Sequence, residues 1–130
     1  MNSVIEQTVT FKNTTPEELF NIFLDSNKHS QILGGAAVKI SKNEGDSFTC
    51  LNGNLTGKNL MIVPNRMIVQ SWRGNVWAKE DLDSILILTF TSITNGAKIY
   101  MVHSNTPDQF TELWDKVYWQ PLKAYLEKKK

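Results

Sequence analysis

The sequence predicts an α+β fold in which a curved antiparallel sheet of six to seven strands wraps one long C-terminal helix, with two short helices after the first strand. Three observations support this prediction. Apolar side chains recur at helical spacing over residues 110–126, they alternate with a period of two between residues 36 and 101, and short turn sequences separate the alternating segments. With 130 residues, the chain is expected to form a single domain, 1–130.

The N-terminal segment predicts a strand followed by a helix. Residues 4–11 alternate, and Gln7 places a polar group on the otherwise apolar face. That face consists of Ile5, Val9 and Phe11. Thr15 is suited to cap the helix and Pro16 to open it, so the first helix is expected from Pro16 through Leu24.

A second short helix is predicted before the sheet resumes. The segment Asp25-Ser26-Asn27 is expected to break the first helix, and a short helix is expected around His29 to Leu33. Gly34-Gly35 ends it, because glycine adopts the positive φ that closes many helices.

Six further strands are predicted from Ala36 onward, and the Asn-Gly pairs at residues 52–53 and 95–96 favour tight turns between antiparallel neighbours. The apolar positions that define the strands are Val38 and Ile40, Phe48 and Cys50, Leu60 and Ile62, Ile68 and Trp72, Ile85 to Phe90, and Ile99 and Met101.

The C-terminal helix is predicted to begin sharply and to bend. Thr106 is suited to the N-cap, Pro107 to the first helical position and Gln109 to the return bond of a capping box. Pro121 lies inside the helical pattern and cannot donate a backbone hydrogen bond, so a bend or a division is expected near Val117 and Tyr118.

Composition excludes several classes of partner. Fourteen basic and thirteen acidic side chains give a net charge of +1, which does not favour nucleic acid or an anionic membrane. Cys50 is the only cysteine of the sequence, so no disulfide framework is expected, and with two histidines no zinc cluster or other cofactor is expected. The N-terminus does not resemble a secretion signal, and a cytoplasmic location is expected.

No catalytic constellation is recognisable, and the chain is not expected to be an enzyme. His103 follows an apolar strand but has no serine, cysteine or carboxylate at a catalytic spacing, and His29 fits a structural role. Glu80, Asp81 and Asp83 precede the most apolar strand, where charges commonly protect a strand end.

Trp72, Arg73 and Trp77 form the most distinctive local group. Strand alternation sends Trp72 and Arg73 to opposite faces, while Trp77 follows in a loop. A guanidinium that is stacked on an indole and held by a carboxylate would form either a rigid corner or an exposed anchor for a partner. The three residues are therefore candidates for partner binding.

Several segments together resemble the C-terminal domain of the activator of the heat shock protein 90 ATPase, within the START-like (SRPBCC) helix-grip group. The resemblance spans nearly the whole chain, and its most specific part is the Trp72-Arg73 pair followed by Trp77. The other matching segments are residues 15–20, 45–48, 53–57, 63–64, 68–71, 86–90 and 114–118. The resemblance implies a helix-grip fold and a binding role without catalysis.

The sequence also departs from the family pattern. Ala78 stands where the family often has proline, and Leu113 where it often has glycine. Eukaryotic activators in this family also carry an N-terminal domain that engages the chaperone, and no counterpart to it is recognised in this sequence. The fold is thus expected to transfer from the family more readily than the co-chaperone activity.

Two functions follow as hypotheses. The first is a non-catalytic, co-chaperone-like module that binds a heat shock protein 90 type ATPase. The alternative is a carrier of a small apolar ligand, lipid-like or polyketide-like, in a hydrophobic cavity between the sheet and the C-terminal helix. The residues expected to line that cavity are Gln7, Asn59, His103, Trp114, Tyr118 and Tyr125. An enzyme of the aromatase or cyclase kind ranks last, because His103 lacks an evident partner.

Overall fold

The computed structural model describes residues 2–107 and 110–128 of the chain, and within them the predicted α+β helix-grip fold is confirmed. The strands are β1 (Asn2–Lys12), β2 (Ser47–Cys50), β3 (Leu55–Val63), β4 (Met67–Gly74), β5 (Ser84–Ile93) and β6 (Gly96–Pro107). The helices are α1 (Pro16–Leu24), α2 (Ser26–Ile32) and a C-terminal helix made of α3 (Phe110–Leu113), a π-helical segment (Trp114–Trp119) and α4 (Gln120–Lys128).

The strands form one antiparallel sheet in the order β1-β6-β5-β4-β3-β2. Consecutive strands from β2 to β6 are neighbours, and β1 joins at the side of β6. This arrangement makes β1 and β2 the two edges of the sheet. The concave face covers the C-terminal helix and is lined by fully buried side chains from the central strands, namely Ile68, Leu86, Leu88, Ile99 and Met101.

The two short helices begin on side-chain caps. The Thr15 hydroxyl accepts the Glu18 backbone N–H at 3.0 Å, as expected for the N-cap of α1. Asp25 plays the same part for α2, since its carboxylate accepts the Lys28 backbone N–H at 2.9 Å. The predicted three-residue break is therefore wrong, because the Asp25 cap lets α2 begin directly at Ser26.

The strand predicted at Val38 and Ile40 is absent from the sheet. Only Lys39 makes an isolated bridge, to Thr49 of β2. Side chains elsewhere bind the backbone of this segment, and the Ser26 hydroxyl accepts the Ile40 N–H at 3.0 Å. The alternating segment therefore does not form a strand, because polar side chains such as Ser26 bind its backbone instead. Within the described ranges, the sheet has six strands.

The predicted start of the C-terminal helix is also wrong. Thr106 and Pro107 extend β6, where Thr106 pairs with Ser3 and donates its hydroxyl to the Ser3 carbonyl at 3.3 Å. Because both residues belong to the strand, Thr106 is not the N-cap and Pro107 is not the first helical residue. Asp108 and Gln109, the rest of the predicted cap, lie outside the described residues.

The irregularity predicted around Pro121 is present as the π-helical segment. The Gln120 N–H donates to the carbonyl of Asp115, five residues earlier, rather than to the residue four earlier. Since Pro121 has no N–H, the preceding turn can widen without losing a bond from that residue. The wider turn brings Trp114, Tyr118 and Trp119 together on the buried side of the helix. None of the helices in the described ranges is both long and apolar enough to span a membrane.

Candidate functional site

Aromatic rings fill the space between the sheet and the C-terminal helix. Trp114 stacks on Trp72 with ring centroids 5.2 Å apart and on Trp119 at 5.0 Å, and it contacts Tyr118 at 4.8 Å. The four residues are no more than 5% exposed. Beside them, the gap between Tyr118 and the helices α1 and α2 does not admit a water molecule. Around these rings, the space where a ligand cavity was predicted is occupied by the protein's own side chains.

His103 closes a hydrogen-bond chain beneath Trp114. The indole N–H of Trp114 donates to Nδ1 at 3.0 Å, so Nδ1 carries no proton. Ser84 donates its hydroxyl to the Trp72 carbonyl, and Nε2 of His103 therefore donates its proton to Ser84 Oγ at 2.9 Å. Burial lowers the pKa of His103 to about 4. His103 is thus held in its neutral form, with both ring nitrogens hydrogen-bonded inside the core.

His29 links α2 to the same aromatic group from the other side. Nδ1 donates to the Phe23 carbonyl at 2.8 Å, and Nε2 accepts the Tyr118 hydroxyl at 2.8 Å. Burial lowers the pKa of His29 to about 4, and it raises the pKa of Tyr118 well above its usual value. Burial also raises the pKa of the Cys50 thiol to about 12. All these groups are held in their neutral forms.

Asn59 belongs to a polar chain that crosses the sheet. The Trp72 indole N–H donates to Gln70 Oε1 at 2.8 Å, and the Gln70 amide donates to Asn59 Oδ1 at 2.9 Å. The Asn59 amide then donates to the carbonyls of Ser41 and Asn43, at 2.9 and 3.1 Å. The Asn59 side chain is thus committed to holding the 41–43 loop against the sheet.

The remaining two predicted cavity residues lie at the margins of the helix. Gln7 is partly buried on β1 and accepts the Trp119 indole N–H at 2.8 Å. Tyr125 is partly buried in an open groove between the end of α2 and the helix, which it lines together with Leu33 and Pro121. The six residues therefore surround the helix but do not enclose one common space.

Arg73 organises the loop between β4 and β5 into a corner, and residues 73–83 are called the Arg73 corner below. The guanidinium donates to the carbonyl oxygens of Ala78 at 2.5 Å and Asp81 at 2.6 Å, and to the Asp83 carboxylate at 3.1 Å. The Ala78 N–H donates to the Asp81 carboxylate at 2.8 Å. Of the predicted carboxylate cluster, Asp81 and Asp83 therefore hold this loop in place.

Trp77 packs at the base of the Arg73 corner. Its ring lies 6.3 Å from the ring of Phe110 at the start of α3, and it covers Gly74, where any Cβ would meet the indole nitrogen at 2.8 Å. The side chain is partly exposed, whereas Trp72 is buried. Trp72 is thus not part of the exposed surface to which Trp77 contributes.

The most exposed apolar side chains of the Arg73 corner were not predicted from the sequence. Val76 is 88% exposed and Leu82 is 77% exposed. Asn105 of β6 holds the backbone at Leu82 in place, because its amide donates to the carbonyls of Leu82 and Asp83 at 3.1 and 3.2 Å. The available signal was two isolated aliphatic residues in a loop rich in charged side chains. Arg73, Val76, Trp77 and Leu82 all lie in the Arg73 corner, which these hydrogen bonds hold in place.

The profile of a known family, described as "Activator of Hsp90 ATPase homolog 1-like protein", matches residues 13–127. The chain belongs to this family. A human relative, "Activator of 90 kDa heat shock protein ATPase homolog 1", is 25% identical over 114 residues, which cover 85% of this chain and 33% of the relative. The mouse "homolog 2" is 24% identical over 119 residues, covering 88% of this chain and 35% of that protein. The chain therefore spans about a third of the length of these curated relatives.

A solved structure of this fold is a crystal structure of an HSP90 activator from Plasmodium falciparum. It superposes with a TM-score of 0.87 at 22% sequence identity, covering 95% of this chain and 96% of that one. At this level of identity the superposition establishes the shared fold. The START-like fold expected from the resemblance is confirmed.

The two departures from the family pattern have visible structural settings. Ala78 supplies the N–H that binds Asp81, a donor that the proline often found in the family would lack. Leu113 has ordinary helical dihedral angles and is 42% exposed at the end of α3. Neither departure disturbs the fold, and Ala78 adds a hydrogen bond to the Arg73 corner.

Proposed function

We propose that this chain is a non-catalytic binding module that acts on an Hsp90-type ATPase in the manner of a co-chaperone. The observation that carries the proposal is membership of the Hsp90 ATPase activator family over residues 13–127. The proposal places the chain in the same compartment as its chaperone, the cytoplasm. It assigns no chemical step to the chain.

The Arg73 corner is the docking element in this proposal. Val76 and Leu82 present apolar surface to solvent, while three guanidinium bonds and the Asn105 amide fix the loop that carries them. A loop that is already ordered loses little conformational entropy when it binds, so its apolar area contributes more fully to affinity. Of the three predicted partner-binding residues, Trp77 contributes its exposed edge and Arg73 positions the loop.

Trp72 acts indirectly in this arrangement. Its side chain is 5% exposed and stacks on Trp114, and its carbonyl accepts the Ser84 hydroxyl at 3.0 Å. Through these contacts Trp72 fixes the end of β4 and the start of β5, which are the two ends of the Arg73 corner. We assign it a positioning role and no contact with the chaperone.

Calorimetric titration of the Hsp90-type chaperone from the same cell tests the proposal, with ATP turnover recorded in parallel. The proposal predicts measurable binding and altered turnover with the native chain. Replacing Val76 and Leu82 together by serine should weaken binding at least about tenfold, which corresponds to about 1.4 kcal/mol. Absence of binding heat together with unchanged turnover would rule the function out.

A matched double variant controls for the loss of surface hydrophobicity as such. Leu60 and Met61 lie on β3, away from the Arg73 corner, and are 44% and 48% exposed. Replacing both by serine removes a similar number of exposed apolar side chains. Binding should remain as in the native chain. If this variant loses affinity as much as the corner variant does, the chaperone does not dock at the Arg73 corner.

A further inference from the structure

The two edge strands of the sheet differ in whether another segment of the chain covers them. The β2 edge is four residues long and is covered by the 36–40 segment, where Lys39 and Thr49 exchange two backbone hydrogen bonds of 2.8 and 3.0 Å. The β1 edge is eleven residues long and pairs with β6 in unbroken register from Glu6 to Lys12. Over that stretch, no backbone bond to an element other than β6 is found in the described part of the chain. Long regular edges of this kind are prone to pair with another strand.

Open space borders the free edge of β1. A groove of about 810 Å³ is lined by four consecutive strand residues, Gln7 to Thr10, and by the C-terminal helix from Thr111 to Lys123. A second groove of about 320 Å³ continues it between residues 10–12 and the end of α4. Because consecutive residues line the first groove, the strand backbone itself faces it and not just alternate side chains.

Charge is distributed unevenly along this edge. Near the start of the strand lie Glu6 and, across the groove, Glu112 and Asp115, with Lys116 beside them. Near the end of the strand lie Lys12 and Lys123, with Glu127 as the opposing charge. The edge is therefore net acidic at one end and net basic at the other, so an antiparallel strand with the same polarity would complement it.

Strand β1 itself has acidic charge near its start, at Glu6, and basic charge near its end, at Lys12. We propose that β1 pairs antiparallel with β1 of a second copy of this chain about a two-fold axis at Val9, which joins the two sheets into one. In this register Thr8 lies opposite Thr10 of the second copy, and Glu6 lies opposite Lys12 of the second copy. Glu6, Thr8, Thr10 and Lys12 are all exposed on the outer face, so the two-fold axis matches face to face.

Glu6 also accepts a hydrogen bond within its own chain. The Tyr100 hydroxyl donates to the Glu6 carboxylate from the neighbouring strand β6. The symmetric dimer contains two Glu6–Lys12 pairs. This proposal is independent of the chaperone-binding function, because the edge and the Arg73 corner share no residue.

Sedimentation equilibrium of the full chain, over concentrations up to about 1 mM, tests the proposal. The native chain should dimerise reversibly. Glu6→Lys and Lys12→Glu should each weaken dimerisation roughly tenfold, because each single change places like charges opposite each other twice. The double swap Glu6→Lys with Lys12→Glu should restore the native dissociation constant. Tyr100→Phe, which keeps every charge, controls for loss of the hydroxyl and should leave a dimer.

Several outcomes would overturn the proposal. A monomer at every concentration would do so, as would a dimer whose dissociation constant is unaffected by the single reversals or is not restored by the double swap. Hydrogen exchange of the β1 amides provides a second readout, with protection expected to rise with protein concentration. If those amides become protected only when the chaperone is added, the edge belongs to a different partner and the self-pairing is wrong.

Discussion

The interior beneath the C-terminal helix and the Arg73 corner differ in charge and in exposure to solvent. In the interior, Trp114 is 2% exposed and every polar group around it is neutral and hydrogen-bonded. In the Arg73 corner, the charged guanidinium is bonded to carbonyls and a carboxylate, and it supports Val76 and Leu82 in solvent. The aromatic interior provides rigidity, and the corner uses that rigidity to present an apolar surface.

The interior and the Arg73 corner differ in how readily each could bind a ligand or a partner. Rings and histidines packed under the helix would have to separate before a ligand could enter. The Arg73 corner needs no rearrangement, since its apolar side chains are already exposed on an ordered loop. Changes in the interior should therefore affect stability, and changes in the corner should affect binding.

Removing Trp114 should have the largest effect. Trp114→Ala takes away the ring that stacks on Trp72 and Trp119 and leaves Nδ1 of His103 without its donor. We expect a loss of about 4 kcal/mol in the free energy of unfolding, measured by urea denaturation. Trp77→Ala, at the partly exposed base of the corner, is the matched control and should cost clearly less. Equal losses would contradict the distinction between the two regions.

Acid should weaken the interior through its two histidines. The pKa values of His29 and His103 are lowered to about 4 in the folded chain, against 6.5 for an ordinary histidine. The neutral forms favour folding, so stability is fully present above pH 6.5 and falls as the pH drops towards 4. Each histidine can contribute up to about 3 kcal/mol to this loss.

Denaturation curves between pH 7.5 and pH 4.5, values chosen to cover most of the range of about 4 to 6.5, measure this effect. His103→Gln keeps an amide donor and an oxygen acceptor but does not titrate. Its curve should be flatter with pH than that of the native chain, even if its stability at pH 7.5 is lower. A slope identical to the native one would show that His103 is not a source of the acid sensitivity.

Loosening the Arg73 corner should have a smaller effect on global stability. Arg73→Gln removes the ion pair to Asp83 and the bonds to the Ala78 and Asp81 carbonyls. We expect a loss of about 1 kcal/mol, because these bonds are partly solvated. Tryptic cleavage after Lys79 should become faster as the loop opens. Asp83→Asn, which removes only the charge of one acceptor, should increase cleavage less, and no increase for Arg73→Gln would contradict the role given to the guanidinium.

The corner variant with Val76 and Leu82 both replaced by serine should have the smallest effect on stability. Both side chains lie largely in solvent, so the free energy of unfolding should change by no more than about 0.5 kcal/mol. Thermal and urea denaturation check this directly. A large loss of stability would mean that these side chains support the fold, and their effect on chaperone binding could not then be assigned to docking.

Most of the fold could be predicted from local patterns. The alternation along β3 to β6, the cap at Thr15 and the irregularity before Pro121 all depend on neighbouring residues. The failures arose where distant parts of the chain compete for the same groups. Thr106 has the sequence of a helix cap, yet its hydroxyl binds Ser3, which is 103 residues away in sequence.

The site was less predictable because its bonds depend on register and loop shape. His103 meets Ser84 and Trp114, which are 19 and 11 residues away in sequence, only after β5 and β6 have paired. The sequence indicates that Arg73 needs acceptors, but two of them are backbone carbonyls, which any residue possesses. Exposure of Val76 and Leu82 likewise follows from how the loop is folded.

Mapping the chaperone contact by backbone amide chemical shifts tests the central claim most directly. The Hsp90-type chaperone would be titrated into the isotopically labelled chain, and shifts would be followed residue by residue. The account predicts that the largest changes fall within residues 73–83, while His29, His103 and the residues around Trp114 stay as in the free chain. Changes centred beneath the C-terminal helix, with the Arg73 corner unaffected, would contradict it.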